Sequence, residues 1–304
     1  MKKTLGLVVP DLSGDGGVPA VARFVKDAAL RSGRYDLRLI SLSMSGNDEC
    51  SVLMVRPSSF FKGVRTKRGV WEELNFTHVG ANLGDFEFQR YRSRDALKRC
   101  LSGCDVVQVI SGSPAWANAV LDCGVPISLQ VATLARVERR QRDSTSQGAV
   151  KVWRKSMTYI TDRLDNKALK SVNAIQVENA WMYDFVRNLN QGRDVDIKYA
   201  PPGVDDHLFC PRGSASKEKG QYLLCVGRLS DPRKNVNLLA EAYALLSKRS
   251  RDNFILVLAG ASSPPSEFWS KAERLGILDR IKFIHRPSQD ELIKIYQNAY
   301  AFLL

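Results

Sequence analysis

The chain has 304 residues, 44% of them hydrophobic and 25% charged, and its formal net charge is +13. This length predicts two domains, and the composition is that of a soluble globular protein. No apolar stretch approaches the ~20 residues that span a bilayer. The short apolar run at residues 5–9, which follows Lys2 and Lys3, predicts a first strand rather than a signal peptide. We therefore expect a cytoplasmic protein.

The positive charge is concentrated in the first part of the chain. Residues 1–200 contain 30 lysines and arginines against 21 aspartates and glutamates, and three clusters stand out: 65–68 (RTKR), 90–94 (RYRSR) and 136–142 (RVERRQR). Such clusters are typical of a solvated face, of a surface that binds anionic lipid headgroups, or of a site for a phosphorylated substrate. Charge is the only feature that favours a nucleic-acid partner, so we predict none.

The six cysteines are scattered, and several lie beside strand-like apolar runs, as buried free thiols do. Cys100 and Cys104 form a C-x3-C pair without the second pair of ligands that zinc sites need. We therefore predict neither a metal site nor a disulfide framework.

Apolar runs of strand length alternate with segments of helical periodicity through the first 198 residues. We predict strands over residues 5–9, 37–42, 52–55, 76–79, 106–110, 127–131 and 174–177, and helices over 18–31, 93–101, 115–121 and 180–189. Strands and helices in alternation indicate parallel strands joined by right-handed crossovers. Residues 1–198 are thus predicted to form an α/β, Rossmann-like domain.

The loop at residues 10–19, PDLSGDGGVP, lies between the first predicted strand and the first predicted helix. Gly16 and Gly17 would let backbone N–H groups approach a ligand without a Cβ in the way, although a plain turn would use the same residues. Gly14 and Gly16 begin like a dinucleotide fingerprint, but Pro19 occupies the position of the third glycine. No acid follows the second strand either, so the loop disfavours a dehydrogenase.

Two further patterns favour structural roles. Asp194 and Asp196 have the D-x-D spacing of a metal-bound nucleotide site, but they precede the predicted strand 197–199 rather than follow one, which indicates a surface turn. His78 ends a strand-like run, where it could reach a ligand, although a satisfied structural histidine is the favoured interpretation.

The pattern changes near residue 199. Residues 210–220 are rich in Ser, Lys and Gly, which is typical of a linker, and the alternation of strands and helices then resumes. We predict strands over 222–226, 254–259, 281–284 and 300–304, and helices over 236–246, 267–275 and 289–297. Residues 199–304 are thus predicted to form a second Rossmann-like domain that faces the first across a cleft, with ligands at the carboxyl ends of the strands.

Residues 221–246, QYLLCVGRLSDPRKNVNLLAEAYALL, place fixed cations directly after a buried strand. The strand ends at Gly227, the helix begins near residue 235, and Arg228, Arg233 and Lys234 lie between them. Helix N-termini favour anions because their first N–H groups are unpaired and the helix dipole is positive there. An arginine fork and a lysine point charge at this place predict a diphosphate site.

This segment resembles the donor-site signature of family 4 glycosyltransferases, which have the GT-B fold. The signature is GR(L/F), a short loop, and then K(G/N) opening an apolar helix. The run PPGVDDHLFCP at residues 201–211 resembles the family's entry to its second domain. The resemblance implies that Arg228 and Lys234 hold the diphosphate of a nucleotide-sugar donor of the UDP or GDP type.

The resemblance also assigns several loops to the cleft. The first is the glycine loop after the first strand, another ends the strand at residues 174–177, and two belong to the donor domain. The residues implied are Gly16, Gly17, Glu178, Asn179, Gly227 and Gly260.

The sequence departs from the family pattern in three places. Residues 132–134 (ATL) stand where the family commonly has a histidine, and residues 285–287 (HRP) replace a glycine turn near the base. The family's E-x7-E segment would follow the last predicted strand, so we expect it beyond Leu304 and expect the second domain to be incomplete. We assign no catalytic residue, and the donor sugar and base stay open.

The activity implied by the resemblance is transfer of a sugar from a nucleotide-diphosphate sugar to a hydroxyl acceptor, with retention of configuration and without a metal or other cofactor. We expect a lipid-linked acceptor in surface polysaccharide or glycolipid synthesis. Because the first domain is basic, we expect peripheral contact with the inner face of the membrane. The alternative is a truncated or degenerate, non-catalytic module that only binds nucleotide sugars.

Overall fold

The computed structural model describes residues 2–12, 16–210, 222–249 and 254–303. The chain divides into two compact units, Met1–Gly203 and Val204–Leu304. The boundary falls a few residues after the predicted one at 198/199, because the last strand of unit 1 extends to Tyr199. The predicted linker lies, apart from Cys210, outside the described residues.

Unit 1 contains an eight-stranded sheet of order β3-β4-β2-β1-β5-β6-β7-β8, in which only β3 runs antiparallel to its neighbour. Its strands are β1 Lys3–Pro10, β2 Tyr35–Leu42, β3 Thr66–Trp71, β4 Leu74–Val79, β5 Val106–Ser111, β6 Ile127–Val131, β7 Ala174–Val177 and β8 Asp196–Tyr199. Val8 faces one apolar cluster, whereas Leu7 and Val9 face another. The central strands are therefore covered on both faces, which explains their continuous apolar runs.

Seven α-helices and a 3-10 helix connect the described strands of unit 1. They are α1 Gly17–Arg31, α2 Ser58–Lys62, α3 Glu87–Arg90, α4 Asp95–Leu101, the 3-10 helix Pro114–Ala119, α5 Ala135–Thr145, α6 Gly148–Leu169 and α7 Ala180–Leu189. The predicted helix at 115–121 is thus a 3-10 turn, and the hairpin of α5 and α6 was not predicted.

The predicted strand at residues 52–55 was wrong. Val52 and Leu53 are buried in a loop that packs on the end of β4, whereas Met54 and Val55 are exposed, and only an isolated bridge joins Leu53 to Arg56. The Val52 N–H donates to the carbonyl of Ala81 at 2.9 Å, outside any ladder. A Cβ at Gly80 would lie 2.0 Å from the carbonyl oxygen of Cys50, so this glycine permits the close packing.

Unit 2 contains a four-stranded parallel sheet of order β11-β10-β9-β12. Its elements are β9 Tyr222–Val226, α8 Val236–Arg249, β10 Ile255–Gly260, α9 Ser266–Arg274, β11 Ile281–His285, α10 Gln289–Asn298 and β12 Ala301–Phe302, with short 3-10 turns at Pro232–Lys234 and Leu278–Arg280. Fully buried Leu256, Leu258 and Phe268 belong to its core. A capping box between Ser288 and Glu291 fixes the start of α10.

Both units are therefore Rossmann-like, as the alternating pattern predicted. The six cysteines are free in the structure. Among the described helices, none is both long enough and apolar enough to cross a membrane.

The buried carboxylate of Asp165, on α6, connects three elements of unit 1. One oxygen accepts the N–H of Ala115 at 2.8 Å, in the 3-10 helix after β5, and the other accepts the N–H of Ala135 at 2.8 Å, at the start of α5. Because Asp165 is fully buried, no water replaces these bonds if the carboxylate is removed. Asp165 thus fixes the loops that follow β5 and β6.

We expect Asp165→Ala to lower the free energy of unfolding by about 2 to 4 kcal/mol, because two buried N–H groups lose their acceptor. Asp162→Ala is the matched control on the same helix, since the partly exposed Asp162 pairs with Arg136 and should contribute less than about 1 kcal/mol. Urea unfolding followed by tryptophan fluorescence measures both. Equal effects of the two substitutions would contradict the assigned role.

The same carboxyl makes stability depend on pH. Burial raises the pKa of Asp165 from 3.8 to about 7, and the two N–H donors offset only part of this rise. Because the folded-state pKa lies above that of the unfolded chain, the stability that comes from protonation of Asp165 is full below about pH 4 and is lost as the pH rises to about 7. Relative to Asp165→Asn, the natural chain should therefore lose up to about 4 kcal/mol between these pH values. A pH-independent difference in unfolding free energy would refute this.

Candidate functional site

The carboxyl ends of three parallel strands meet at one edge of unit 2. In register, Val226 of β9 lies opposite Ala259 of β10, and Gly260 lies opposite His285 of β11. The loops that follow β9 and β10 are joined by a hydrogen bond of 2.9 Å between the hydroxyls of Ser230 and Ser262. Loops from distant parts of the sequence thus form one surface at this edge.

Two glycines allow the strand ends to approach each other closely. A Cβ at Gly260 would lie 2.1 Å from the carbonyl oxygen of Gly227, and the N–H of Gly227 donates to the carbonyl of Ala259 at 3.0 Å. The side chain of Lys234 folds back over Gly227, since a Cβ there would lie 3.1 Å from the Lys234 Cε. The structure therefore brings Gly227, Gly260 and Lys234 together.

Asp231 organises the turn between β9 and α8. Its carboxylate accepts the backbone N–H of Arg233 at 3.1 Å and the Arg233 guanidinium at 2.7 Å, and it lies 3.6 Å from the guanidinium of Arg228. Hydrogen bonding to Arg233 lowers the pKa of Asp231 to about 2, so the carboxylate is charged at neutral pH. Asn235 then takes a left-handed conformation, with φ of 44°, and α8 begins at the next residue.

The two predicted cations of this turn are available to a ligand. The Arg228 side chain is 66% exposed. Lys234 is exposed and makes no ion pair with any residue that the structure describes. Both precede the first turn of α8, whose N–H groups and dipole favour an anion at the same edge.

Sequence reasoning missed Asp231, Ser230 and Ser262. The dipeptide Asp231-Pro232 was the available signal, because an aspartate before a proline favours a turn that its own side chain caps. The serine pair carried no signal, since its members are 32 residues apart. His285 also has a partner that the sequence did not indicate, because its Nε2 lies 3.0 Å from the carbonyl oxygen of Ala261.

The other predicted site residues lie in unit 1. Gly16 precedes α1 with φ of 148°, a conformation that favours glycine, and both Gly16 and Gly17 are exposed. Asn179 accepts the N–H of Met182 at 2.9 Å and so caps α7. Glu178 directly follows β7, and burial raises its pKa. Gly16 and Gly17 follow β1, and Glu178 and Asn179 follow β7, so both pairs lie at the carboxyl edge of the larger sheet. Gly14 lies outside the described residues.

Three side chains that could ligate a metal converge in unit 1. The ligand atoms of Asp48, Cys50 and His78 all lie within 4.8 Å of one another. His78 Nε2 lies 2.9 Å from Asp48, and the Ser51 hydroxyl donates to the same carboxylate at 2.5 Å. Burial raises the pKa of Asp48, but these bonds outweigh it and hold the pKa at about 2. The positive charge of Arg65, close to Cys50, disfavours a cation. The other ring nitrogen of His78, Nδ1, lies 3.3 Å from the Ser41 hydroxyl.

Part of the chain is similar to a known protein family. Residues 210–304 match the family described as glycosyl transferases group 1, and this range contains the whole turn from Gly227 to Asn235.

Two curated proteins are similar to part of this chain. The chain is 25% identical over 205 residues to the D-inositol 3-phosphate glycosyltransferase of Corynebacterium glutamicum (strain R), covering 62% of this chain and 47% of that protein. It is 24% identical over 123 residues to the mannosylfructose-phosphate synthase of Agrobacterium fabrum, covering 36% of this chain and 27% of that protein. The matched part thus spans less than half the length of these relatives.

Solved structures share the fold of the chain. A structure titled as trehalose-6-phosphate from E. coli, bound with UDP-2-fluoro glucose, superposes with a TM-score of 0.60 at 12% identity, covering 99% of this chain and 78% of that one. The α,α-trehalose 6-phosphate synthase of Burkholderia multivorans gives a TM-score of 0.57 at 13% identity, with coverage of 99% and 77%. The prediction of a GT-B fold with two Rossmann-like units is confirmed.

Substitution of Gly260 tests the contact between the strand ends. We expect Gly260→Ala to destabilise unit 2 by about 1 to 3 kcal/mol, because the new methyl group would displace the Gly227 backbone. The control is Gly17→Ala, since no atom lies within 4 Å of a Cβ at Gly17. Thermal unfolding and hydrogen exchange of residues 222–227 measure the effect. A Gly260→Ala chain as stable as the control would show that the contact is not required.

Proposed function

We propose that this chain transfers a sugar from a nucleotide-diphosphate sugar to a hydroxyl acceptor, and that unit 2 binds the donor diphosphate. The observation that carries the proposal is the turn from Gly227 to Asn235. There, two exposed cations and a helix N-terminus flank a backbone surface that no Cβ obstructs. The turn lies within the residues matched by the glycosyl transferases group 1 family.

In this proposal the backbone at Gly227 and Gly260 lies against the donor diphosphate. Arg228 and Lys234 neutralise the negative charge of that diphosphate. Breaking the bond between sugar and diphosphate leaves additional negative charge on the diphosphate. Arg228 and Lys234 stabilise that charge, a role that a divalent cation has in other enzymes. Asp231 remains ionised at neutral pH and orients Arg228 and Arg233, so the arginine geometry is set before the donor binds.

The finer parts of the function rest on the resemblance to family 4. We propose retention of anomeric configuration, no metal requirement, and an acceptor held by unit 1 beside Gly16, Gly17, Glu178 and Asn179. We further propose a lipid-linked acceptor in surface polysaccharide or glycolipid synthesis, and a cytoplasmic protein in peripheral contact with the membrane. The basic composition of unit 1 supports this location. The relatives' names mention phosphorylated products or acceptors, so D-inositol 3-phosphate belongs among the acceptors assayed.

Substitution of the two cations tests the donor site. We expect Lys234→Ala and Arg228→Ala each to lower the transfer rate by a factor that corresponds to about 2 to 4 kcal/mol, because each removes a charge that stabilises the departing diphosphate. Titration calorimetry with UDP, GDP and their sugars, followed by a transfer assay with the preferred donor, separates binding from catalysis. Transfer that is unchanged in Lys234→Ala would refute the assignment.

Lys282→Ala and Arg274→Ala are the matched controls. Both side chains are exposed in unit 2, on β11 and in the last turn of α9, and each control removes the same charge away from the turn. Neither should change donor affinity. Affinity for nucleotide sugars without transfer to any acceptor would favour the alternative, a non-catalytic binding module.

A further inference from the structure

The hairpin of α5 and α6 is held in one conformation by polar contacts between its two helices. The Thr158 hydroxyl donates to Asp143 at 2.7 Å, and the Arg154 guanidinium donates to Ser146 at 2.6 Å. Arg136 pairs with Asp162 at 3.1 Å nearer the body of unit 1. The tip of the hairpin, residues 140–159, is therefore a defined surface.

A cavity of about 370 Å³ lies within this tip. Its lining consists of three cations, two hydroxyl groups and one carboxylate, contributed by Arg140, Lys151, Lys155, Ser144, Thr158 and Asp143. Asp143 is 8% exposed, and its Oδ1 has no hydrogen-bond partner in the described part of the chain. With this carboxylate charged, three cations leave the cavity a formal charge of +2. This surplus of cations suits a phosphate group, which is anionic and accepts several hydrogen bonds.

Large apolar side chains are exposed immediately beside the cavity. Val150, Val152 and Trp153 are 54%, 67% and 56% exposed, and they alternate with Lys151, Arg154 and Lys155 along the first turns of α6. Cations mixed with exposed aliphatic residues and a tryptophan are typical of helices that lie in the headgroup region of a bilayer. A polyanion in water, such as a nucleic acid, would leave the valines exposed.

We propose that the tip of the α5–α6 hairpin binds the surface of an anionic phospholipid bilayer. A lipid phosphate occupies the cavity, while Trp153 and the two valines enter the interfacial region. The lysine stems lie along the surface with their ammonium groups among the headgroup phosphates.

The hairpin is joined to the part of unit 1 that is proposed to hold the acceptor. The chain enters α5 directly after β6, at the carboxyl edge of the sheet, and Asp165 fixes that connection through the N–H of Ala135. A hairpin bound to lipid therefore holds this edge near the bilayer, where a lipid-linked hydroxyl would be found. This link to the acceptor and the expected contact with a membrane rest on the proposed function, whereas the placement of the lipid-binding surface at the hairpin tip does not.

Sedimentation of the full chain with vesicles tests the proposal. At about 0.1 M salt, we expect binding to vesicles of phosphatidylglycerol and phosphatidylcholine, and little binding to phosphatidylcholine alone. The double substitution Lys151→Glu with Lys155→Glu should weaken binding by about tenfold or more, and Trp153→Ser should weaken it severalfold. Donor binding by the same variants should be unchanged, so failure of this inference is distinguishable from failure of the proposed function.

Two matched controls separate the hairpin from charge and apolarity in general. Lys3→Glu with Lys62→Glu produces the same change in net charge at exposed positions elsewhere in unit 1. Trp181→Ser removes another exposed tryptophan, 48% exposed, from α7. Neither control should change vesicle binding, and circular dichroism should show that all variants are folded.

Several outcomes would overturn the proposal. One is the absence of binding to anionic vesicles, and another is an equal loss of binding in the charge control, which would indicate non-specific attraction. Two others would assign the surface to a different partner: binding to bare RNA that the Lys151 and Lys155 substitutions abolish, or self-association that Trp153→Ser abolishes in light scattering.

Discussion

Parallel hydrogen bonding between neighbouring strands is the constraint on which both units depend. It places the ends of β9, β10 and β11 at one edge, so that Gly227, Gly260 and His285 are neighbours despite their separation in sequence. In unit 1 the same pairing brings the residues that follow β1, β6 and β7 to the carboxyl edge of the larger sheet. Helices return the chain to the opposite edge each time, and the residues proposed to act on substrates are therefore collected on one side of each sheet.

At the donor turn, residues 227–235, the ends of β9 and β10 lie so close together that they restrict which residues fit between them. The carbonyl of Gly227 occupies the space that a side chain at position 260 would need, so the surface offered to a ligand is backbone. Lys234 can therefore fold over Gly227, and its charge comes to lie beside that backbone. Asp231 complements this arrangement, because it holds the arginines of the turn, while Lys234 forms no ion pair within the described part of the chain. The combination is a fixed backbone surface with arginines oriented by Asp231 and a lysine point charge, which suits a diphosphate.

Sequence patterns predicted the fold well wherever burial was continuous. Leu7 and Val8 face opposite cores, and their uninterrupted apolar run gave β1 correctly. The edge strand β3 was missed because its first three residues, which include Lys67 and Arg68, are polar and exposed. The long helix α6 was missed because its first turns extend beyond the core, so the periodic apolar face of a packed helix is absent there. Asp165 could not be predicted at all, because its partners lie 50 and 30 residues away.

The cations of this basic chain differ in role. Some form hydrogen bonds or ion pairs within the protein, and others are exposed. Arg94, in the second basic cluster, is only 4% exposed and donates to the carbonyls of Arg90 and Arg92, so it braces a loop rather than facing a ligand. In the third cluster, Arg136 and Arg139 pair with Asp162 and Glu87. Sequence alone could not separate these from cations without a carboxylate partner, because the partners come from other elements. The cations at the donor turn and at the tip of the hairpin are exposed, and each set lies where an anionic donor or an anionic bilayer is proposed to bind. A net charge of +13 is thus partly structural.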